Sequence, residues 1–341
     1  MLLKRLTEAV GPSGFEDEIR QVIYEEIKDH VDHVYTDVLG NLIAEKHGTR
    51  PGPKVMLCAH MDEVSLMIAA IDHDGMIQFR HIGGIDDRIL VAKPVLIGPN
   101  QISGVIGSKP AHHQSGEERR RPIPLDELRI DIGASTREEA LRYVKPGDIA
   151  VFATKYEEIG VRRAKSKSFD DRVGCAVMVE TLKKNFDIPV VFAFAVQEEI
   201  GLRGAGPLAY RIQPDISLVL EGTLASDIPG TVAHGRATEL GKGPALSLMD
   251  SSSVHNRKFI DHMVQVAENS GIPYQFRNTI AGGNDSGRIH ISRTGVLAGV
   301  VSVPTRYIHA PSQMISLDDY ENTILLVEKF LRSVEQGGLT S

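Results

Sequence analysis

The stretch Val190-Val191-Phe192-Ala193-Phe194-Ala195-Val196 carries no charge and then stops at Gln197-Glu198-Glu199-Ile200-Gly201. A short run rich in β-branched and aromatic residues reads as a strand buried on both faces, as in the parallel sheet of an α/β fold. Pro189 stands just before it, where a proline removes no ladder hydrogen bond. Open α/β sheets bind their ligands at the carboxyl ends of such strands. Two adjacent acids there are therefore candidates for chemistry as well as for plain solvation. Neighbouring strand residues face opposite ways, which predicts separate duties, one acid gripping a metal and the other handling protons.

The rest of the chain repeats this pattern. Lys54 to Ala59 reads as a buried strand running into His60-Met61-Asp62-Glu63. Ser217 to Leu220 runs into Glu221, and Val296 to Val303 leads on to Arg306-Tyr307-Ile308-His309. Helices are expected over 13–31, with Ser13 and Glu16 at capping-box spacing, and over 173–184 and 255–270. A last helix is expected from a Ser316 cap to about Val334, with Asp318 and Asp319 in its first turn. A strand pair is predicted over His33 to Lys46, turning at Gly40-Asn41. Between Ser65 and Val161 the texture changes to short alternating segments broken by Gly, Pro and Asp, the signature of a small β unit with one helix at 135–143. The polar segment 112–121 reads as a loop. The prediction is an α/β catalytic unit of 1–64 and 164–341, interrupted by a β-rich insert of 65–163.

At 341 residues the chain is long enough for two domains. A net charge of −7 weighs against nucleic acid and anionic membranes as partners. Cys58 and Cys175 lie in apolar runs without metal-type spacing, as buried free thiols do. Met1-Leu2-Leu3-Lys4-Arg5-Leu6 is charged too early for a secretory signal, and no apolar run reaches the roughly 20 residues of a membrane span. A cytoplasmic protein is expected.

The strand ends and adjoining loops together hold His60, Asp62, Asp170, Glu198, Glu199, Glu221 and His309. Taken singly, each is as well explained by a surface site or a helix cap. Together, two imidazoles with shared carboxylates suit a pair of Zn²⁺ or Co²⁺ ions, whereas calcium favours oxygen alone and structural zinc favours thiolates. His60 and Asp62 add a carboxylate for the ring nitrogen that does not face the metal.

Cys58-Ala59-His60-Met61-Asp62-Glu63-Val64, Ser168-Phe169-Asp170-Asp171-Arg172-Val173-Gly174, Gln197 to Ala205 and Arg306-Tyr307-Ile308-His309 resemble the motifs of the TET-type metalloaminopeptidases, in the same order. The similarity runs from Gly11-Pro12-Ser13-Gly14 to the last helix. It implies a three-layer zinc-exopeptidase (phosphorylase/hydrolase-like) fold with a PDZ-like or barrel-like insert. It also implies two metal ions: Asp170 bridging them, His60 and Glu221 on one, Glu199 and His309 on the other, Glu198 as general base and Asp62 orienting His60. Gly282 to Gly287 resembles the family's substrate-side loop, with Asp285 as its candidate contact. Peptide substrates and self-association into dimers and hollow dodecamers follow from the same resemblance. Many members have Asp where this chain has Glu221, which puts denticity and metal preference in question, and Asp227 is a competing ligand candidate. Arg306 is left between meeting a substrate carboxylate and pairing with an acid. Other readings are a metal-dependent carboxypeptidase or N-acyl amino acid deacylase with a similar metal shell, a polysaccharide hydrolase, and a non-catalytic oligomeric binding protein.

Overall fold

The computed structural model describes residues 1–339. Ahead of Ser65 come α1 (Leu2–Glu8), α2 (Asp17–Ile27), β1 (His33–Thr36), β2 (Leu42–Lys46) and β3 (Val55–His60). Then follow β4 (Ser65–Ile71), β5 (Ile77–Ile82), β6 (Pro94–Ile97), β7 (Ile102–Gly107), β8 (Arg129–Asp131), α3 (Arg137–Ala140) and β9 (Ile149–Phe152). The chain continues through β10 (Glu157–Ile159), β11 (Arg163–Ser166), α4 (Phe169–Leu182), β12 (Val190–Ala195), α5 (Ala205–Ile212) and β13 (Ile216–Ala225). Last come β14 (Ala245–Leu246), α6 (Arg257–Asn269), β15 (Gln275–Phe276), α7 (Ser286–Ile289), β16 (Leu297–Arg306), β17 (Gln313–Ser316) and α8 (Leu317–Glu335).

The large sheet is mixed and runs β1-β2-β12-β3-β13-β16-β17-β11-β10, with β14 and β15 attached beside β16. Its centre, β12-β3-β13-β16, is parallel, and β2 and β17 flank it antiparallel. Every residue of β12 and β3 is buried. Their side chains alternate between two cores. Phe192, Phe194, Leu57 and Ala59 pack with residues of α1, α2, α4 and α8, while Val191, Ala193, Met56 and Cys58 pack with residues of α5 and α7. Each fully buried phenylalanine there contributes about 1.5–3 kcal/mol of transfer free energy. Because both faces are covered, the strands could be read from sequence as unbroken apolar runs. α8 is capped as expected, with the Ser316 hydroxyl accepting from the Asp319 N–H.

The expected capping box at α2 does not form. The N-cap is Glu16, without a side-chain cap, and the Ser13 hydroxyl instead donates to Asp62 Oδ2 at 2.6 Å. The hydroxyl donates to a buried carboxylate, a charge-assisted bond, so the serine serves the strand-end turn and not the helix end.

β4-β5-β8-β7-β6-β9 close into a six-stranded barrel around Leu66, Ile68, Ile77, Phe79, Val95 and Ile130. The helix expected at 135–143 is one short turn, α3, capped by Thr136. The barrel ends at Phe152, and β10 already pairs with β11 in the large sheet.

Candidate active site

Parallel pairing brings the strand ends level. Ala195 of β12 lies opposite His60 of β3, and Val219 of β13 opposite Cys58, which puts Glu221 level with His60. His309 follows the end of β16 in a turn where Tyr307 and His309 both have positive φ. Asp170 opens α4 in a non-helical conformation, its N–H donating to Gln313 Oε1 at 2.9 Å. Gly222 allows this approach, because a Cβ there would stand 3.1 Å from Asp170 Oδ1. From the barrel, the turn after β5 reaches the same place, and a Cβ on Gly83 would stand 3.2 Å from that of Glu199.

Asp170 lies between the imidazoles. Its Oδ1 is 3.4 Å from His60 Nε2 and its Oδ2 is 3.2 Å from His309 Nε2. Glu221 approaches His60 Nε2 to 3.6 Å, Glu198 approaches it to 3.9 Å, and Glu199 approaches His309 Nε2 to 3.3 Å. Asp170–Glu199–His309 and His60–Asp171–Glu221 each bring ligand atoms within 4.8 Å of one another, as do His60, Glu198 and Glu199. Buried Asp170 Oδ1, Glu199 Oε1 and Glu221 Oε1 accept no hydrogen bond. A buried acceptor left unmatched is costly, so this acid-rich cluster suits cations. With nitrogen and oxygen donors and no thiolate, the set fits two zinc-like divalent ions.

The two strand-end acids do not face opposite ways. β12 ends at Ala195, Gln197 takes a left-handed φ of 56°, and Glu198 and Glu199 both turn toward His60. Asp62 holds them there, its Oδ1 accepting from the Glu198 N–H at 2.9 Å and its Oδ2 from the Glu199 N–H at 3.1 Å. Asp62 Oδ1 also lies 3.3 Å from His60 Nδ1. One carboxylate thus orients the imidazole and both glutamates.

Titration reflects this crowding. Burial pushes Glu198 well above the ordinary carboxylate range, with Asp285 and Glu199 adding to it against the pull of His60. Burial likewise pushes Glu199 up to about 7, against the pull of His309. Burial would lower His309, but Asp170 and Glu199 raise it to about 9. Burial would raise Asp62, yet its bonds with His60, Ser13 and the Glu198 N–H hold it below its ordinary value.

Two sequence candidates stand apart from the cluster. Arg306 makes a bidentate pair with Asp227, Nε to Oδ1 and Nη2 to Oδ2 both at 2.8 Å. That pair engages Asp227 and matches the charge of Arg306 within the protein. Asp285 is fully buried, with Oδ2 3.9 Å from Cys58 Sγ and Oδ1 accepting nothing. It is its neighbour Asn284 that lines the cavity of about 270 Å³ beside the cluster.

Other participants escaped the sequence reading. Asp171 Oδ2 accepts from the His60 N–H at 3.2 Å, and Glu16 Oε1 accepts from the Gln197 N–H at 3.1 Å. Glu63 is buried against Lys167 Nζ at 2.6 Å and Arg172 Nη2 at 3.3 Å. Charged residues inside strand-end motifs were the available signal for Glu63, Asp171 and Arg172. For Ser13 and Glu16 there was none, since helix capping explained them equally well.

Residues 40–326 match the family described as M42 glutamyl aminopeptidase. A lysyl aminopeptidase of Pyrococcus furiosus is 32% identical over 98% of this chain and 97% of its own. An aminopeptidase structure from Desulfurococcus kamchatkensis is 37% identical with a TM-score of 0.94, covering 100% of this chain and 97% of that one. The TET1 peptidase of Pyrococcus horikoshii, described as assembling into a tetrahedron or a large octahedral shell, is 35% identical with a TM-score of 0.84, over 96% and 97% of the two chains. With matches spanning nearly its whole length, this chain belongs to the M42 aminopeptidase family, hydrolases that act on peptide bonds.

Proposed function

We propose that the chain removes single residues from peptide N-termini at a two-metal site, with His60 and Glu221 holding one ion, Glu199 and His309 the other, and Asp170 shared. The observation that carries this reading is Asp170, whose two oxygens face two different imidazoles. Zinc or cobalt suits the donors. When bound, such ions supply Lewis acidity toward water and a peptide carbonyl. Glu198 takes the proton of the attacking water and returns it to the leaving amine, a role supported by its place in the cavity lining, 3.9 Å from His60 Nε2. Asp62 fixes the His60 ring and the Glu198-Glu199 backbone, so both carboxylates are placed before substrate arrives. Glu221, with one more methylene than Asp, still comes within 3.6 Å of His60 Nε2, which supports it as a ligand.

The same reading makes the fold three-layered, with a catalytic unit of 1–64 and 164–341 and an assembly unit of 65–163. Helices packed on both sheet faces and the barrel strands between Ser65 and Phe152 support it. Self-association into dimers and a hollow dodecamer is supported by the shells of the TET1 relative, and mass in solution distinguishes the two. The buried free thiols Cys58 and Cys175 are in keeping with a cytoplasmic protein. Family membership leaves the substrate's first residue open, since the matched descriptions include both glutamyl and lysyl enzymes.

The test is to strip the protein with chelator, restore each metal in turn, and assay aminoacyl-p-nitroanilides beside N-acyl amino acids. Turnover of the first group with zinc or cobalt is expected. Turnover of the second group alone sinks the proposal in favour of a deacylase or carboxypeptidase.

A further inference from the structure

We infer that the open cavity at the amino ends of β13 and β16 is a binding site for an organic phosphate, separate from the metal-ligand cluster and linked to the substrate-side loop. The cavity holds about 860 Å³, within the size range of small-molecule sites. Asp215, just ahead of β13, and Leu297 and Ala298 of β16 line it, so it lies at the opposite edge of the two strands that lead to Glu221 and His309. Its lining and that of the cavity beside the cluster are separate sets of residues.

In a chain of net charge −7, this lining is basic. Lys258 and Arg293 are permanent cations, His255 and His290 add imidazoles, and among the described residues Asp215 is the one acid of the lining. Asp215 Oδ2 already accepts from the Lys54 N–H at 2.8 Å. Arg293 stacks over the Tyr210 ring at 4.8 Å, and its Nη1 donates to the Tyr210 carbonyl at 3.5 Å. Among the described residues, neither Arg293 nor Lys258 has a carboxylate at ion-pair distance. His290 Nδ1 donates to the Ser286 carbonyl at 2.8 Å, since a carbonyl only accepts, and this leaves Nε2 open. His255 is the buried member, with a side chain 2% exposed. Its Nε2 lies 3.4 Å from Ser253 Oγ and 3.6 Å from Asp250 Oδ2, and its Nδ1 has no partner among the described residues. Two permanent cations balance a phosphate dianion, and an open imidazole nitrogen donates to a phosphate oxygen when protonated or accepts from its hydroxyl when not. Val254, Val296 and Leu297 add an apolar wall, which the organic part of a phosphate ester covers and inorganic phosphate does not.

The turn that carries His255 also grips the catalytic wall. Asp250 Oδ2 accepts from Asn284 Nδ2 at 2.8 Å, Ser253 Oγ lies 3.2 Å from Ser286 Oγ, and the Ser251 N–H donates to the Gly282 carbonyl at 3.1 Å. Gly282 and Asn284 line the cavity beside the cluster. A ligand that fixes Val254 and His255 restrains the 250–255 turn and, through it, the loop that substrate meets. Occupancy therefore lowers KM with little change in kcat.

The experiment measures binding of inorganic phosphate, glucose 6-phosphate and AMP by calorimetry, with sulfate, glucose and adenosine as controls. Wild type, Lys258→Met, Arg293→Gln and the double variant are compared, each metal-loaded and chelated. The esters should bind more tightly than inorganic phosphate, and glucose and adenosine should not bind. Each single variant should lose about tenfold in affinity, the size of one charge-assisted bond, and the double variant should lose measurable binding. Both side chains are exposed, so melting temperatures without phosphate should match wild type. On aminoacyl-p-nitroanilides the tightest ester should lower KM severalfold in wild type and not in the double variant. Binding that is equal for sulfate and every phosphate, or undiminished in the double variant, marks an adventitious ion only and overturns the site. Phosphate that only competes with substrate and is lost on chelation is bound at the metals, which overturns it too. So does phosphate that acts only by changing the mass in solution, since the cavity is then a contact between copies of this chain. Tight ester binding with KM unmoved overturns the link to the substrate-side loop. Turnover of N-acyl amino acids alone refutes the aminopeptidase reading, and calorimetry on chelated protein still decides the phosphate site.

Discussion

Replacing Glu63 with Gln tests whether one buried carboxylate fastens the N-terminal segment to the ligand-bearing turns. Glu63 Oε1 accepts from the Gly11 N–H at 3.1 Å, Lys167 Nζ at 2.7 Å and Arg172 Nη2 at 3.3 Å, and Oε2 accepts from Lys167 Nζ at 2.6 Å and from the Ser168 hydroxyl. Both cations also donate to main-chain carbonyls of the N-terminal segment, Lys167 to Ala9 at 3.0 Å and Arg172 to Leu6 at 2.6 Å. Arg172 and Glu63 are essentially inaccessible. Glu63→Gln keeps an acceptor but leaves two buried cations facing neutral oxygens, and stranding a buried charge costs about 3–5 kcal/mol. On a typical total of about 5–15 kcal/mol that is about a fifth or more of the stability. Lys167 sets the pH dependence. Burial lowers it to about 8, with Glu63 opposing that shift. Its folded pKa thus lies below its unfolded value, so the folded state binds this proton less tightly and stability rises with pH between the two. Removing Glu63 moves the folded value lower still, so the deficit of Glu63→Gln should shrink as pH rises toward about 8 and stay level above it. Urea melts of chelated protein at pH 6.5 and 9, with Glu63→Gln, Lys167→Met and the double variant, measure this, and the double variant should recover at least half of the single-variant loss. A loss below about 1 kcal/mol for Glu63→Gln, or strict additivity in the cycle, would refute the reasoning.

Glu198→Gln should lower kcat by about 10²–10⁴ while metal content by elemental analysis stays at the wild-type level, whereas Glu199→Gln should lose metal; equal metal loss in both would erase the distinction between base and ligand. Metal uptake should release protons, because in the free protein Glu199 titrates at about 7 and His309 at about 9. Both hold protons that ligation removes, so affinity should rise with pH from 6 to 9, with about 1.5 protons released from these two at pH 7; calorimetry in buffers of different ionisation enthalpy counts them, and no release at pH 7 contradicts the assignment. Asp227→Asn should cost about 1–2 kcal/mol by weakening a half-buried bidentate pair with Arg306, with metal content unchanged, and a fall in bound metal would restore Asp227 as a ligand.

The central strands and the groups at their ends were readable because burial on both faces demands continuous apolar sequence, and such a run ends visibly at a polar residue. β3, β12, β13 and β16 each lead to a group the sequence had singled out, His60, Glu198 with Glu199, Glu221 and His309. Ser13 and Glu16 were misread for a physical reason. Their spacing satisfies a helix cap, and nothing local shows that Asp62 and Gln197, 49 and 181 positions away, compete for them.

By itself, then, the amino-acid order determined an α/β sheet with acids and imidazoles at its carboxyl edge, because periodicity and strand termination are local properties. Only the tertiary structure decided how those groups are shared out. Asp170 lies between two histidines because the start of α4 is brought beside the strand ends, and Glu198 and Glu199 both turn toward His60 while Asp62 binds both of their N–H groups. Arg306 likewise pairs with Asp227, 79 positions away. Charge balance is a property of neighbours in space, and for these residues the neighbours come from distant parts of the chain.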